Sequence, residues 1–291
     1  MVFNNTIPRR MPSLIKKLLS DLLNILLPRT CIVCGQPLVP TEDVCCIGCT
    51  MSMPLTHYKG QPGNPIERYF WGKIPIVRAS SYMHYYPHTN YARIITELKY
   101  NNRPEIGVYL GKLIATDLLE THFFDDIDCI IPLPLAKLRY LKRGYNQSER
   151  IARGISAITH IPIDTKSIQR NKANKTQTHT QKQMRHENVK DIFSLTTPCT
   201  SSEANVPSPL QMLGAHITPQ QTHSQTTQNS TSHPLAGKHI LLIDDIFTTG
   251  ATLLSCSKIL IPIPGIRISI LTAGVAGHHR WGPRLPEECR R

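Results

Sequence analysis

The spacing of apolar side chains along the chain predicts a mixture of helices and strands. Apolar residues three and four positions apart are typical of helices, and they occur at 13–27, 91–100, 104–121, 148–158 and 252–261. Short β-prone or apolar runs indicate strands, at 76–82, 127–132, 240–243 and 266–272. Because residues 240–243 are apolar without a break, that strand is expected to be buried on both faces, as in a parallel sheet.

The Leu-rich segment at the start of the chain, residues 1–27, is predicted to contain an amphipathic docking helix. Ser13 is its expected N-cap, and Pro28 follows its end. Basic residues flank the apolar stripe, so binding to a membrane surface is an alternative to packing on the following domain. Asp21 and Asn24 interrupt the apolar run, which argues against a signal peptide or a transmembrane segment and favours a cytoplasmic protein.

The cysteines predict a metal site, because five of the nine lie between residues 31 and 49. Cys31 and Cys34 form one CxxC pair, and Cys46 and Cys49 form a second. Four thiolates at this spacing suit a structural Zn²⁺ in a reducing compartment. Cys45 is an alternative to Cys46, although the repeated two-residue gap favours Cys46. Unligated cysteines or a redox pair are the other interpretation.

Composition divides the rest of the chain. Residues 196–236 are rich in Ser, Thr, Gln, Pro and His and lack the apolar content of a core, which predicts a disordered insertion. The predicted units are therefore a zinc-ribbon-like module at 28–57, a main domain at 74–195 and 237–274, and a tail at 275–291.

The net charge is concentrated in one region. The chain carries a formal charge of +13, with a pI near 9.4. Residues 137–190 contain thirteen Lys or Arg against three acids, a balance of +10. One basic region is the footprint expected for binding phosphates or nucleic acid, although a solvated basic loop gives the same pattern.

Candidate chemistry follows the strand at 240–243. Asp244 and Asp245 come directly after it, and carboxylates at the end of a parallel strand can bind sugar hydroxyls or Mg²⁺. A Thr/Gly turn comes next, made of Thr248, Thr249, Gly250, Ala251 and Thr252. Because the backbone N–H groups of such a turn bind phosphate where it opens a helix, the pattern predicts a ribose 5-phosphate site. An acidic turn without a ligand, or a Walker B strand, is the alternative, but no complete Walker A motif accompanies it.

A second candidate element follows the strand at 127–132. A Pro-containing turn with clustered basic residues can hold a highly charged anion such as pyrophosphate. The candidate contacts are Pro132, Leu133, Pro134, Lys137, Arg143, Gly144, Asn146 and Gln147. The polar segment 170–193 is predicted to be a mobile loop that could close over the site, with Arg170, Gln181 and Arg185 as candidate contacts. Each element alone is equally consistent with an ordinary basic loop.

Taken together, these motifs resemble two known families. The stretch 240–252 is similar to the phosphoribosyl-pyrophosphate motif of type I phosphoribosyltransferases. The whole chain apart from 196–236 resembles the ComF family, which are predicted amidophosphoribosyltransferases associated with competence and DNA uptake. The elements that carry this likeness, in order, are the paired cysteines, Leu98-Lys99-Tyr100, Pro132-Leu133-Pro134, Arg143-Gly144-Tyr145-Asn146-Gln147, the 170–193 segment and the 240–252 motif.

The resemblance implies an α/β fold of the type I phosphoribosyltransferase kind, with a parallel sheet flanked by helices and a small N-terminal zinc-ribbon-like module. It implies that Asp244 and Asp245 bind the ribose hydroxyls directly or through Mg²⁺, while the Thr/Gly turn holds the 5-phosphate. The loop from Pro132 would hold pyrophosphate. Arg143 and Asp245 are then the candidate catalytic residues, and catalysis would be electrostatic and positional.

Two functions remain open on the sequence. The first is a Mg²⁺-dependent enzyme that acts on phosphoribosyl pyrophosphate or a related nucleotide, with an unspecified acceptor. The second is a non-catalytic partner of a DNA-uptake helicase that binds a nucleotide or single-stranded DNA. In that case the basic region supplies charge, and Tyr140 and Tyr145 supply stacking surfaces.

Overall fold

A computed structural model describes residues 28–171, 192–196 and 233–276. The predicted docking helix, residues 197–232 of the predicted insertion and most of the predicted tail lie outside the described residues, as do Gln181 and Arg185. Within the described ranges the expected α/β fold is confirmed. None of the helices there is both long and apolar enough to cross a bilayer.

The strands are β1 (Arg78–Tyr85), β2 (Cys129–Pro132), β3 (Ile168–Arg170), β4 (Phe193–Leu195), β5 (His239–Phe247) and β6 (Arg267–Ala276). The helices are α1 (Ile47–Met51), α2 (Pro65–Phe70), α3 (Ala92–Tyr100), α4 (Pro104–Leu118), α5 (Lys137–Arg143), α6 (Gln147–Thr159) and α7 (Ala251–Leu260). Four parallel strands form the main sheet in the order β1-β6-β5-β2, and β3 pairs with β4 in an antiparallel ribbon.

Each face of the main sheet has its own apolar core, because successive side chains of a strand point to opposite faces. Leu241 and Ile243 of β5 pack with α3, α4 and α6. Ile240 and Leu242 pack with α2 and α7 on the other face. The helix α6, which follows β2 and α5 in the chain, therefore covers one face, and α7, which follows β5, covers the other. The crevice between these two strands is the place where open α/β sheets bind ligands.

The cysteine-rich segment packs on the first of these cores. Val44 and Cys45 are buried in it together with side chains of α3 and α4. The hydroxyl groups of Thr50 and Tyr109 share a hydrogen bond of 2.7 Å, and the Tyr91 hydroxyl donates to the carbonyl oxygen of Cys49 at 3.0 Å. These contacts fix the cysteine-rich segment against the sheet domain.

Glycines allow α4 and α6 to cross at very short range. A Cβ atom on Gly111 would lie 2.1 Å from the carbonyl oxygen of Ile151, and one on Gly154 would lie 2.2 Å from the carbonyl oxygen of Val108. Real Cβ atoms do not approach backbone oxygens so closely. The crossing matters for the site, because α6 begins at the crevice with Gln147.

The two acidic residues lie within β5 and not beyond its end, which corrects the sequence prediction. On one side β6 continues to pair with β5, with Asp244 opposite Thr272 and Phe247 opposite Val275. On the other side β2 stops at Pro132, which pairs with Ile243. The acids are therefore past the end of only one neighbouring strand, and this one-sided ending forms the crevice.

Residues 137–143 form the helix α5, whereas the sequence pattern predicted a basic turn. Lys, Leu and Arg are good helix formers, and Gly144 ends the helix in the left-handed region at φ 76°. None of the α5 residues is buried. The basic residues are therefore displayed on a short, solvent-facing helix.

Candidate functional site

A polar cleft of about 530 Å³ opens where β5 extends past β2. Many of the residues proposed from the sequence line it, namely Leu133, Pro134, Arg143, Asn146, Gln147, Arg170, Asp244, Asp245, Thr248 and Thr252. Others lie in the same segments without lining it, namely Pro132, Lys137, Gly144, Thr249, Gly250 and Ala251. The fold thus brings the two candidate elements and the start of the 170–193 segment together in one place.

The acidic pair is held by several hydrogen bonds. Oδ1 of Asp244 accepts from the Ser148 hydroxyl at 3.2 Å and from the backbone N–H of Asp245 at 2.9 Å. Oδ1 of Asp245 accepts from the backbone N–H of Ile246 at 2.7 Å. Burial, and then the neighbouring charge of Asp245, raise the pKa of Asp244 to about 7.

Asn146 and Gln147 have different local roles. The Asn146 side chain accepts from the backbone N–H of Ser148 at 3.1 Å and donates to the carbonyl oxygen of Leu133 at 2.9 Å, so it caps α6 and anchors the loop after β2. Gln147 is only 2% exposed, and its Nε2 has no hydrogen-bond partner among the described residues. A buried amide group that lines a cleft without a partner is available to a ligand.

The Thr/Gly turn leads directly into α7. Gly250 caps this helix with φ 71°, and Thr248 and Thr252 face the cleft. A Cβ atom on Gly250 would lie 2.4 Å from Cε1 of Tyr69. The glycine is therefore needed for packing against this ring as well as for the backbone conformation. Since α6 also begins here, two helix N-termini meet at the cleft and favour an anion.

Five basic side chains also line the cleft, and we call the four without an acidic partner its basic wall. The five are Lys99, Arg139, Lys142, Arg143 and Arg170. Among the described residues only Lys99 of these five forms an ion pair with an acid. Burial, and then the charge of Arg139, lower the pKa of Arg170. Unpaired cations that repel one another are stabilised by an anionic ligand.

Sequence reasoning assigned no role in the site to Lys99 and Tyr100. Nζ of Lys99 lies 3.1 Å from Oδ2 of Asp245, and the guanidinium carbon of Arg143 lies 5.3 Å from the centroid of the Tyr100 ring. The Tyr145 hydroxyl donates to the carbonyl oxygen of Leu98 at 2.6 Å. The signal was present in the Leu98-Lys99-Tyr100 motif, but no residue nearby in sequence indicated what it contacts.

The paired cysteines form a compact cluster away from the cleft. The Sγ atoms of Cys31, Cys34, Cys46 and Cys49 all lie within 4.8 Å of one another. Those of Cys34 and Cys46 are 3.8 Å apart, and thiolates on a tetrahedral Zn²⁺ are separated by about 3.8 Å, given Zn–S bonds of about 2.3 Å. The donor set therefore fits a structural Zn²⁺ with no open coordination position.

The structure separates Cys45 from this cluster. Cys45 is 3% exposed and belongs to the apolar core, and burial raises its pKa to about 12. Its sulfur is not one of the four Sγ atoms that lie within 4.8 Å of one another, and Cys46 completes that group. The geometry supports Cys46, which the spacing favoured.

We expect Cys46→Ser to remove the bound metal and Cys45→Ala to retain it. Replacing one of four ligands opens the coordination shell, whereas Cys45 contributes only packing, with a stability loss of about 1–2 kcal/mol. Native mass spectrometry of both variants gives the zinc content directly. Retention of a full equivalent of zinc by the Cys46 variant, or its loss from the Cys45 variant, would contradict the assignment.

Comparison with known proteins found several similar sequences, whereas no protein-family model matches the chain. The chain is 24% identical over 234 residues to DNA utilization protein YhgH of Escherichia coli strain K12. The aligned region covers 79% of this chain and 83% of that protein. It is 23% identical over 249 residues to the YhgH protein of Salmonella typhimurium, covering 80% and 91%. It is 24% identical over 245 residues to Competence protein F of Haemophilus influenzae, covering 79% and 90%. The resemblance to ComF proteins that the motifs indicated is confirmed by these relatives and by the four-cysteine cluster.

Proposed function

We propose that the cleft binds phosphoribosyl pyrophosphate, or a related nucleotide, with Mg²⁺, and that the protein is a phosphoribosyltransferase. The main support for this proposal is that an acidic pair, a turn of the kind that binds phosphate and a group of basic side chains line the same cleft. Five basic residues against two carboxylates leave an excess of three positive charges. Such a site suits a ligand that combines a diol with several phosphate groups.

The residues present fit a Mg²⁺ ion that is shared with the substrate. Oδ2 of Asp244 has no hydrogen-bond or ion-pair partner among the described residues, and Asp244 lines the cleft together with Asp245. Mg²⁺ commonly uses one or two carboxylates together with substrate oxygens and water. When bound, the ion would neutralise charge on the pyrophosphate and orient the sugar.

The protein side chains would act by position and charge. Asp244 and Asp245 would hold the ribose hydroxyls, and the turn at Thr248–Thr252 would hold the 5-phosphate by its N–H groups. In the reaction, the bond between C1 and the pyrophosphate oxygen breaks and its electrons leave with pyrophosphate. The acceptor forms a new bond to C1 and releases a proton. Arg143 would stabilise the charge that grows on the leaving group, so no protein nucleophile is needed.

The names of the relatives support a biological setting. Proteins called DNA utilization protein and Competence protein F match most of the chain, and we place the activity of this protein in DNA uptake. A role in handling the nucleotides or strands produced by uptake fits a cleft for phosphorylated sugars.

Release of pyrophosphate tests the enzymatic proposal. The wild-type protein is incubated with phosphoribosyl pyrophosphate, Mg²⁺ and a panel of nucleobases and amine donors, and pyrophosphate is assayed. We expect donor-dependent release that falls at least about 100-fold in Arg143→Met. Arg153→Met is the matched control, since Arg153 is 56% exposed and pairs with Glu149 outside the cleft. Equal loss in both variants, or no release with any donor, would contradict the proposal.

The alternative is a non-catalytic partner that binds single-stranded DNA. The exposed helix α5 favours it, because Tyr140 is 48% exposed among basic residues. Tyr145, proposed from the sequence as a second stacking surface, cannot stack on a base, because it is 4% exposed and its hydroxyl donates a hydrogen bond to the carbonyl oxygen of Leu98. Tyr100, which is 67% exposed, is the aromatic residue available instead. Salt-sensitive DNA binding without any pyrophosphate release would favour this function.

A further inference from the structure

Lys99 forms an ion pair with Asp245, one of the two acidic residues of the cleft. Its ammonium group lies 3.1 Å from Oδ2 of Asp245, and the two side chains are only 21% and 16% exposed. The other carboxylate oxygen of Asp245 accepts the backbone N–H of Ile246. Each carboxylate oxygen of Asp245 therefore already has one partner. A divalent cation at Oδ2 would be repelled by the neighbouring Lys99 ammonium, so this carboxylate binds a cation better once Lys99 moves away.

An anion bound in the cleft would give a displaced Lys99 a second partner. The basic wall formed by Arg139, Lys142, Arg143 and Arg170 lines the cleft together with Lys99. The backbone of Lys99 is held at the end of α3, where the Tyr145 hydroxyl donates to Leu98 and Arg143 lies over Tyr100. Only the flexible side chain of Lys99 is then free to exchange partners.

We infer that Lys99 is a positioning residue that changes partners when the ligand binds, from Asp245 to the anionic end of the ligand. The inference rests on the proposed function for the identity of that anion. While Lys99 is paired with Asp245, it masks this carboxylate and disfavours binding of a lone divalent cation. When a pyrophosphate group enters, it attracts Lys99 and exposes Asp245. The cation site is thereby assembled only together with the substrate.

Two probes with opposite expected responses test this switch without any turnover. Binding of Mn²⁺ alone, followed by electron paramagnetic resonance, is expected to strengthen about tenfold in Lys99→Met, because Asp245 is unmasked and a positive charge is removed. Binding of metal-free inorganic pyrophosphate, measured by calorimetry, is expected to weaken about tenfold in the same variant. A residue with a merely structural role would weaken both.

Matched variants locate the effect. Lys59→Met removes the lysine of the Lys59–Asp117 pair, which has the same 3.1 Å separation but lies outside the cleft, and it should change neither affinity. Lys99→Arg keeps the charge and should bind both probes like the wild type. In the double variant Lys99→Met with Asp245→Asn, the gain in Mn²⁺ affinity should disappear. Lys99→Gln repeats the test if Lys99→Met does not fold.

The switch is overturned if Mn²⁺ binding is unchanged or weaker in Lys99→Met, or if pyrophosphate binding is unaffected. It is equally overturned if Lys59→Met reproduces the result. Failure of the proposed function gives a different outcome, since wild-type protein would then neither bind phosphoribosyl pyrophosphate nor release pyrophosphate from it. The Mn²⁺ and inorganic pyrophosphate affinities of the Lys99 variants would still report on the switch.

Discussion

Asp245→Asn is expected to weaken binding of phosphoribosyl pyrophosphate with Mg²⁺ at least about 100-fold, as the loss of one partner in a desolvated charged contact costs about 2–5 kcal/mol. The substitution preserves shape, and the Asn oxygen can still accept the backbone N–H of Ile246 that Asp245 accepts at 2.7 Å. The substitution therefore removes the negative charge of this side chain from the cleft and little else. Isothermal titration calorimetry of the ligand with Mg²⁺ measures the change.

Asp117→Asn is the matched control for this variant. Asp117 also pairs with a lysine at 3.1 Å and is also partly buried, but its partner is Lys59 and it does not line the cleft. Its affinity for the ligand should equal that of the wild type. If both variants lose affinity equally, the effect reflects net charge or stability, and Asp245 has no specific part in binding.

The largest effect on stability is expected for Gly154→Ala. In an ordinary helix this substitution stabilises by about 1 kcal/mol, but here the new Cβ atom would lie 2.2 Å from the carbonyl oxygen of Val108. Backbone atoms cannot rotate away as a side chain can, so α4 and α6 must separate. We expect a net loss of at least about 2 kcal/mol in the free energy of unfolding, measured by urea denaturation.

Gly48→Ala provides the reference for that measurement. Gly48 lies in α1, and a Cβ atom there would meet nothing within 4 Å. This change should be neutral or stabilising, within about 1 kcal/mol. A Gly154 variant that is as stable as the Gly48 variant would show that the helix crossing is not as close as the structure has it.

The parts of the site that were predictable are those carried by contiguous residues. Asp244, Asp245 and the Thr/Gly turn are close together in the sequence, and the spacing of the two cysteine pairs indicates a metal site. The fold class followed from the ComF resemblance, and the sheet confirms it. Such sites can be predicted from sequence because one short backbone segment supplies all the side chains and N–H groups that form them.

The remaining parts depend on contacts between residues distant in sequence. Lys99 meets Asp245 across 146 positions only because α3 packs on the face of β5 that Leu241 and Ile243 share. No periodicity encodes that pairing. The same holds for Tyr145, whose side chain looks like a stacking surface in sequence but is buried against α3.

A second difference arises from strand lengths. The acids were expected beyond the end of their strand, but β6 is long enough to pair with β5 as far as Phe247, while β2 stops opposite Ile243. Which neighbour ends first cannot be read from β5 itself. This unequal pairing is what gives the acidic residues both a fixed backbone and an open side.

A crystal structure of the protein grown with phosphoribosyl pyrophosphate and Mg²⁺ would test most directly whether the cleft binds this ligand in the proposed way. We expect the 5-phosphate on the N–H groups of the Thr248–Thr252 turn, the ribose hydroxyls at Asp244 and Asp245, and the pyrophosphate against Arg143. Density for the ligand elsewhere, or an acidic pair that makes no contact with the bound sugar or its metal ion, would contradict the proposed binding mode.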